Sequence, residues 1–152
     1  NHFQSAGLAF AQVDCRAGRC NSIGDMQRLL SERAATTDAG EWVIGRGYDQ
    51  TMLAENRHPT RHDLDIAVPD QPVAVWHISY HGVIVNSAAL RLAGVDRNTE
   101  DRPGGEILRD ADGEPNGVLL EDPAMELVTR VMPNVTRADR RSGFGMARDQ
   151  FI

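Results

Sequence analysis

Lysine is absent from this sequence, and all 16 basic residues are arginines. A catalytic Schiff base or a modified lysine therefore cannot lie within these 152 residues. Acidic residues outnumber basic ones by 22 to 16, the formal charge is -6, and the arginines are scattered along the chain. Binding to nucleic acid or to an anionic membrane requires a clustered basic surface, so we expect neither kind of partner.

The chain also lacks a disulfide framework and a long apolar run. Its two cysteines, Cys15 and Cys20, could close a small disulfide or stay reduced, and we favour free thiols. Their spacing exceeds that of the usual zinc-finger pair, and no second pair follows. No apolar stretch approaches the roughly 18 residues that a membrane-spanning helix needs. We therefore expect a soluble, cytoplasmic protein.

The residues that are present, 41% hydrophobic and 25% charged, are typical of one globular domain. Their periodicity and capping residues predict an α+β fold, a small mixed sheet with helices. The first predicted element is a helix over 22–38, capped by Ser22 with Asp25 and stopped at Gly40. Two strands follow, over Trp42–Tyr48 and Val73–Ile78, separated by a polar loop through His58–Arg61. The next helix is capped by Asn86 or Ser87 and ends at Gly94. The later ones are a hairpin of Glu106–Arg109 and Asn116–Leu120, a helix with Asp122 as its N-cap and Pro123 as its first residue that stops at Pro133, and a last helix from Thr136.

Both ends of the chain interrupt a pattern. The sequence opens at Asn1 without a methionine, and an apolar helical pattern is still running at Phe151 and Ile152. We therefore expect a piece of a longer protein, with the last helix truncated or packed against a neighbouring molecule.

Eight short sequence blocks, in collinear order over nearly the whole chain, resemble one family, the YtcJ-like metal-dependent amidohydrolases (amidohydrolase family 3). The blocks are Asn1–Phe3, Gly45–Asp49, Pro59–Asp65, Pro72-Val73, His81-Gly82, Val85–Leu90 with Ala93-Gly94, Gly104-Gly105 and Asp112–Glu121. The order of the blocks is far more specific than any single block.

The resemblance implies the N-terminal part of an enzyme that hydrolyses C–N bonds of small amide-type substrates with a metal-activated water, zinc being the expected ion. It also implies a (β/α)8 barrel that is not present in this chain. Residues 1–20 would follow the first barrel strand, residues 21–135 would form an inserted α+β lobe over the barrel mouth, and residues 136–152 would lead back to the barrel. The remainder of the protein's own chain is then the lobe's partner, and a homodimer is possible.

Two residues are the predicted metal ligands by this resemblance. His2 falls where the family has the second histidine of an Asp-x-His-x-His element at the end of the first barrel strand. Alternating histidines on a strand can chelate one ion from the same face, although His2 alone could simply be a terminal histidine. Glu121 falls at a glutamate of the family motif, and the alternative is an acidic residue favoured by a helix dipole.

Two further residues are predicted to contact the substrate. His81 follows a predicted buried strand and matches a family histidine, so we assign it both substrate binding and catalytic proton transfer. Asn86 is a predicted substrate contact whose alternative role is a helix N-cap. His77 is expected to be a hydrogen-bonded core or interface histidine, and His58 and His62 to face solvent. Trp42 and Trp76 are expected in the core.

An alternative to the enzyme is a non-catalytic module that supports structure or caps the substrate. The 152 residues alone should show no metal-dependent amide hydrolysis, because a catalytic zinc needs about three protein ligands and the sequence offers at most His2 and Glu121. The measurement is turnover of an amide substrate with zinc present. Turnover above that of zinc alone would contradict this prediction.

Overall fold

A computed structural model describes residues 12–132 of the chain. Within that range a six-stranded mixed sheet is packed with four α-helices. The strands are β1 (Val13–Asp14), β2 (Val43–Tyr48), β3 (Val73–His77), β4 (Gly82–Val85), β5 (Glu106–Arg109) and β6 (Pro115–Leu120). The helices are α1 (Ile23–Ala35), α2 (Arg61–Ala67), α3 (Ser87–Ala93) and α4 (Asp122–Thr129), and a short 3-10 helix spans Gln50–Met52. The mixture of helices and strands predicted from the sequence is confirmed.

The strand order is β1-β2-β3-β4-β6-β5. The first three strands are parallel to one another, whereas β4 is antiparallel to both β3 and β6. Strands β2, β3 and β6 therefore finish at the same end of the sheet at which β4 begins. We call this the site end, because it carries both His81 and Glu121.

Helices cover both faces of the sheet. On one face α1 and α2 bury a core that includes Met26, Leu30 and Leu64. On the other face α3 and α4 bury a core that includes Leu90 and Met125. Apolar side chains alternate between these two cores along the inner strands, which accounts for the β-rich runs seen in the sequence.

The aromatic and cysteine predictions refer to these same cores. Trp76 is buried as expected, whereas Trp42 precedes β2 and is only half-buried against the α3–α4 core. Cys15 and Cys20 are free thiols, as predicted, and both are buried beside α1. A hydrogen bond with Cys20, together with burial, raises the pKa of the Cys15 thiol.

Several caps agree with the sequence. Ser22 Oγ accepts the Asp25 amide at 3.0 Å and starts α1. Asn86 caps α3, which ends at Gly94 in the left-handed conformation, and β5 and β6 form the predicted hairpin. The cap of α4 lies one residue earlier than predicted, at Glu121, and the helix ends at Thr129 rather than running to Pro133.

The predicted end of α1 at residue 38, with Gly40 as the stop, is wrong. The helix ends at Ala35 with Thr36 as its C-cap. The hydroxyls of Thr36 and Thr37 both donate to the Arg33 carbonyl, at 3.1 and 2.6 Å. These side-chain bonds compete with continuation of the backbone ladder.

Two elements were not predicted. Helix α2 begins directly after Thr60, where the sequence favoured a polar loop; Asp63 accepts hydrogen bonds from the Thr60 amide and hydroxyl. Strand β4 is only four residues long, too short for a period-2 pattern to mark it. The predicted helix from Thr136 and the ends of the chain lie outside the described residues.

None of the helices within residues 12–132 combines the length and the apolar character that a membrane crossing requires.

Gly117 in β6 allows an unusually close backbone approach. Its φ is +100°, and a Cβ there would overlap the Val85 carbonyl oxygen and lie 2.8 Å from the Arg61 amide nitrogen. Both neighbours are backbone atoms of other elements, so neither can move cheaply. We predict that Gly117→Ala lowers the free energy of unfolding by about 3 kcal/mol or more, measured by denaturant titration.

Gly18→Ala is the matched control. Its φ of +98° is almost the same, but nothing lies within 4 Å of the added Cβ. This variant should lower the free energy of unfolding by only about 1–2 kcal/mol, the cost of placing alanine in a left-handed backbone conformation. Equal losses at the two positions would show that the close approach at Gly117 is unimportant.

Candidate active site

The site end of the sheet brings together His81 and Glu121, which are 40 positions apart in sequence. His81 lies in the turn before β4, and Glu121 directly follows β6. The His81 Nδ1 and Glu121 Oε2 atoms are 3.0 Å apart. The Glu121 amide also donates to the His81 carbonyl at 2.7 Å, so backbone and side chains pair in parallel.

Glu121 has a backbone conformation that is almost restricted to glycine. Its φ is 69° and its ψ is 158°. A side chain in this region costs on the order of 1–3 kcal/mol, and such strain clusters at functional sites. Glu121 holds this conformation because its amide bonds to His81 and its carbonyl accepts from the amides of Ala124 and Met125. Although it is the N-cap residue of α4, its side chain makes no capping bond and points to His81 instead.

The pairing with Glu121 assigns a tautomer to the neutral His81 ring. An ionised carboxylate only accepts hydrogen bonds, so His81 Nδ1 carries the hydrogen and Nε2 keeps its lone pair. Across residues 12–132, Nε2 of His81 makes no hydrogen bond, and the His81 side chain is 71% exposed. The ring can therefore present Nε2 to a ligand.

The turn that carries His81 is itself tight. The His77 carbonyl accepts the Tyr80 amide at 2.9 Å, and Tyr80 has a left-handed φ of 62°. The Tyr80 ring stacks on Trp76 with the ring centroids 6.2 Å apart. Packing against a buried tryptophan offsets the cost of placing a bulky residue where glycine or asparagine is usual.

The sequence did not predict the contacts among Tyr48, His58 and His77 behind this turn. Tyr48 OH lies 2.9 Å from His58 Nδ1, and the His77 ring contacts the Tyr48 ring edge-on at 5.0 Å. Both ring nitrogens of His77 are hydrogen-bonded, as expected for that residue. Burial is the main cause that lowers the pKa of His58 and of His77, so both rings favour the neutral form.

The prediction that His58 faces solvent is wrong, because it packs against Tyr48 and His77. His62 is exposed as expected, although it lies on α2 rather than in a loop. Its Nε2 atom lies 2.9 Å from Asp110 Oδ2. Only the Gly-Tyr-Asp sequence at the end of β2 could have drawn attention to Tyr48, and nothing local indicated its contact with His58.

Asn86 lies at the opposite end of β4 from His81 and is 0% exposed. Its Oδ1 accepts from the Val73 and Ala89 amides at 2.9 and 3.0 Å. Its Nδ2 donates to the Val68 and Gln71 carbonyls at 2.9 and 2.8 Å. Every polar atom of the side chain is thus engaged within the protein. This geometry argues against the predicted substrate contact and favours the N-cap alternative.

The predicted metal ligands are only partly within the described structure. His2 lies outside it, whereas Glu121 keeps Oε1 free of any hydrogen bond to residues 12–132. Between residues 12 and 132 there is no group of three or more His, Cys, Asp or Glu side chains that could hold a metal ion. A carboxylate beside an imidazole suits a divalent ion such as zinc, but it is only part of a coordination shell.

Comparison with known proteins gives one consistent relationship. The model of the amidohydrolase family matches residues 1–149. The putative amidohydrolase YtcJ of Bacillus subtilis (strain 168) is 35% identical over 137 residues, which are 90% of this chain and 26% of the relative. The N-substituted formamide deformylase of Arthrobacter pascens is 35% identical over 121 residues, 80% of this chain and 22% of that protein.

Solved structures show the same fold. A crystal structure of an uncharacterized metal-dependent hydrolase from Pyrococcus furiosus aligns over 95% of this chain and 26% of its own, with a TM-score of 0.59 and 21% identity. Its counterpart from Pyrococcus horikoshii OT3 aligns over 88% of this chain and 23% of its own, with a TM-score of 0.57 and 23% identity. The chain spans about a quarter of the length of the relatives that it matches.

The geometry of Asn86 predicts a stability defect without a substrate effect. Asn86→Ala should lower the free energy of unfolding by roughly 2–4 kcal/mol, because it removes a helix cap and leaves buried backbone groups unsatisfied. The kcat/KM of the remaining folded protein should stay within about 3-fold of the original. Asn116→Ala, which removes one local bond to the Val118 amide, is the control. A large loss of kcat/KM with normal stability would contradict this prediction and support Asn86 as a substrate contact.

Proposed function

The chain belongs to the amidohydrolase family, and we propose that the complete protein hydrolyses amide-type C–N bonds with a water activated by a divalent metal ion. The observation that carries this proposal is the strained Glu121 directed at His81. By the sequence resemblance each of the two residues falls at a family position, and the two meet at one end of the sheet. A structural glutamate would gain nothing from a backbone conformation that costs stability.

Glu121 and His2 are the residues that would hold the ion. Glu121 can use Oε1 for this purpose while Oε2 stays with His81. A bound divalent ion supplies a water of lowered pKa and polarises the carbonyl under attack. We favour zinc, because histidine and carboxylate ligands suit it and it needs no redox chemistry.

His81 would serve the substrate through Nε2. The Glu121 carboxylate orients the ring and keeps the hydrogen on Nδ1, which leaves the Nε2 lone pair to accept a hydrogen bond or a proton. An imidazole that has accepted a proton at Nε2 can then return that proton to the departing nitrogen. His81 would thus be both a substrate contact and a proton carrier.

The substrate class is an amide of a small molecule. One relative is named for the deformylation of N-substituted formamides, and N-substituted formamides are therefore the first compounds to assay. We also propose that the sheet and helices described here form a lobe over the mouth of a (β/α)8 barrel, where the active sites of such barrels lie. In that position the lobe would supply Glu121 and His81 to the barrel's site and limit access of bulk water.

A second candidate is a lobe that only caps the substrate. The absence of a three-residue metal cluster among residues 12–132 favours it for this part of the chain. The two candidates differ at Glu121, since a capping lobe does not need a carboxylate at that point. Substitution of Glu121 therefore separates them.

Glu121→Gly should raise stability and abolish activity. Glycine adopts the observed conformation freely, so the substitution relieves the backbone strain. Glycine also makes the unfolded chain more flexible, which offsets part of this gain. The net effect should raise the free energy of unfolding by about 1 kcal/mol. Loss of the carboxylate should lower kcat/KM for an N-substituted formamide by at least about 100-fold. The measurements are formate release and denaturant unfolding of the complete protein.

Two further variants complete this experiment. Glu121→Gln keeps the strain and removes the charge, so it should lose activity without gaining stability. Asn56→Gly changes another residue with positive φ, 51°, in the loop between the 3-10 helix and α2, and should leave activity unchanged. Retention of activity in Glu121→Gly would refute the metal-ligand role and favour the capping lobe.

A further inference from the structure

Three residues, Gln50, His77 and Ser79, are linked by hydrogen bonds to one another and to the backbone of His81. None of them is part of the proposed chemistry. They form a chain of hydrogen bonds from the 3-10 helix after β2 to the turn between β3 and β4. Backbone N–H groups in this chain of bonds can only donate, and they fix the direction of the bonds between the side chains.

The tautomer of His77 follows from a backbone donor. The Ser79 amide lies 3.1 Å from His77 Nδ1. A backbone N–H can only donate, so Nδ1 is the acceptor and carries no hydrogen. In the neutral ring the hydrogen is therefore on Nε2, which donates to Gln50 Oε1 at 2.7 Å.

The Ser79 hydroxyl is fixed in turn. Its oxygen lies 2.8 Å from His77 Nδ1, which has no hydrogen to donate, so the hydroxyl donates to it and shares the single Nδ1 lone pair with the Ser79 amide. The oxygen lone pairs then face the other way. One of them accepts the His81 amide at 3.1 Å.

The backbone of His81 is consequently held on both sides. Its amide donates to Ser79 Oγ, and its carbonyl accepts the Glu121 amide at 2.7 Å. The side chain of His81 is mostly exposed and has Glu121 as its ring partner, so little packing restrains it. The position of the His81 backbone and the Glu121 carboxylate together therefore decide where Nε2 points.

We propose that Ser79, held by His77 and Gln50, is a positioning residue that fixes the His81 backbone and so aims the His81 ring at the substrate. This inference rests on the proposed amide hydrolysis. Ser79 and His77 do not touch the reacting atoms themselves. Their effect on the reaction passes entirely through His81.

The first test is structural and does not depend on activity. Nitrogen-15 NMR of the histidine rings should find neutral His77 with its hydrogen on Nε2. Ser79→Ala should speed hydrogen exchange of the His81 amide by about 10-fold, the worth of one lost hydrogen bond. Ser79→Thr keeps the hydroxyl and should restore the slow exchange. A His77 ring protonated on Nδ1, or unchanged His81 exchange in Ser79→Ala, would overturn the proposal.

The second test is a double-mutant cycle in the complete protein. Ser79→Ala should lower kcat by about 10-fold with KM within about 2-fold, and should have no further effect once His81→Gln is present. Ser79→Thr should recover most of the lost kcat. Additive effects of Ser79→Ala and His81→Gln would mean that Ser79 does not act through His81, and would overturn the proposal.

Thr99→Ala is the matched control, because the Thr99 hydroxyl also accepts a turn amide, that of Asp96, at 2.9 Å in a loop away from the site. It should leave kcat unchanged. If the protein hydrolyses no amide at all, the proposed function fails, and the NMR and exchange measurements still decide whether Ser79 holds His81.

Discussion

The reversal of chain direction at β4 is the constraint on which the site depends. Strands β1, β2 and β3 are parallel, and an uninterrupted parallel sheet would place every strand start at the far end. Because β4 runs antiparallel between β3 and β6, its first residue meets the last residues of both neighbours. The register pairs Gly82 with Leu120, so the residues just outside that pair, His81 and Glu121, face each other.

At the far end of β4, hydrogen bonds from side chains link several elements of the fold. Asn86 caps α3 through the Ala89 amide and ties the start of this helix to Val68, Gln71 and Val73 through three further hydrogen bonds. Beside it the Arg61 guanidinium donates to the Pro115 carbonyl at 2.8 Å and to Ser87 Oγ at 3.2 Å. At this end Asn86 is buried and each of its polar side-chain atoms is hydrogen-bonded, whereas the site end holds the exposed side chain of His81 and the positive φ angles of Tyr80 and Glu121. Rigid anchoring at one end lets the other end tolerate strain.

Different interactions offset the backbone strain at Tyr80 and at Glu121. Tyr80 gains contact with a buried tryptophan, and its amide closes the turn to His77. Glu121 gains three backbone hydrogen bonds but no buried side-chain contact, and its carboxylate remains 53% exposed. The strain at Tyr80 thus serves the turn, while that at Glu121 places a carboxylate beside an imidazole. This difference is why we assign the chemistry to Glu121 and His81 rather than to the turn residues.

The sequence by itself determined the features that depend on neighbours in the chain. The cap at Ser22, the glycine stop of α3, the hairpin of β5 and β6, and the family blocks that contain His81 and Glu121 are all local patterns. The same local patterns did not predict α2, whose signal was only the capping pair of Thr60 and Asp63. They also did not predict β4, which has only four residues. They placed the end of α1 beyond two threonine hydroxyls that close that helix early.

Only the tertiary structure decided which residues meet. His81 and Glu121 are 40 positions apart, and Gln50 and His77 are 27 apart, and no periodicity connects either pair. Asn86 looked equally suited to a cap and to a substrate contact until the fold buried it against Val68 and Val73. The physical reason is that a hydrogen bond between distant residues depends on strand order and register, and these are set by how the whole sheet packs between its helices.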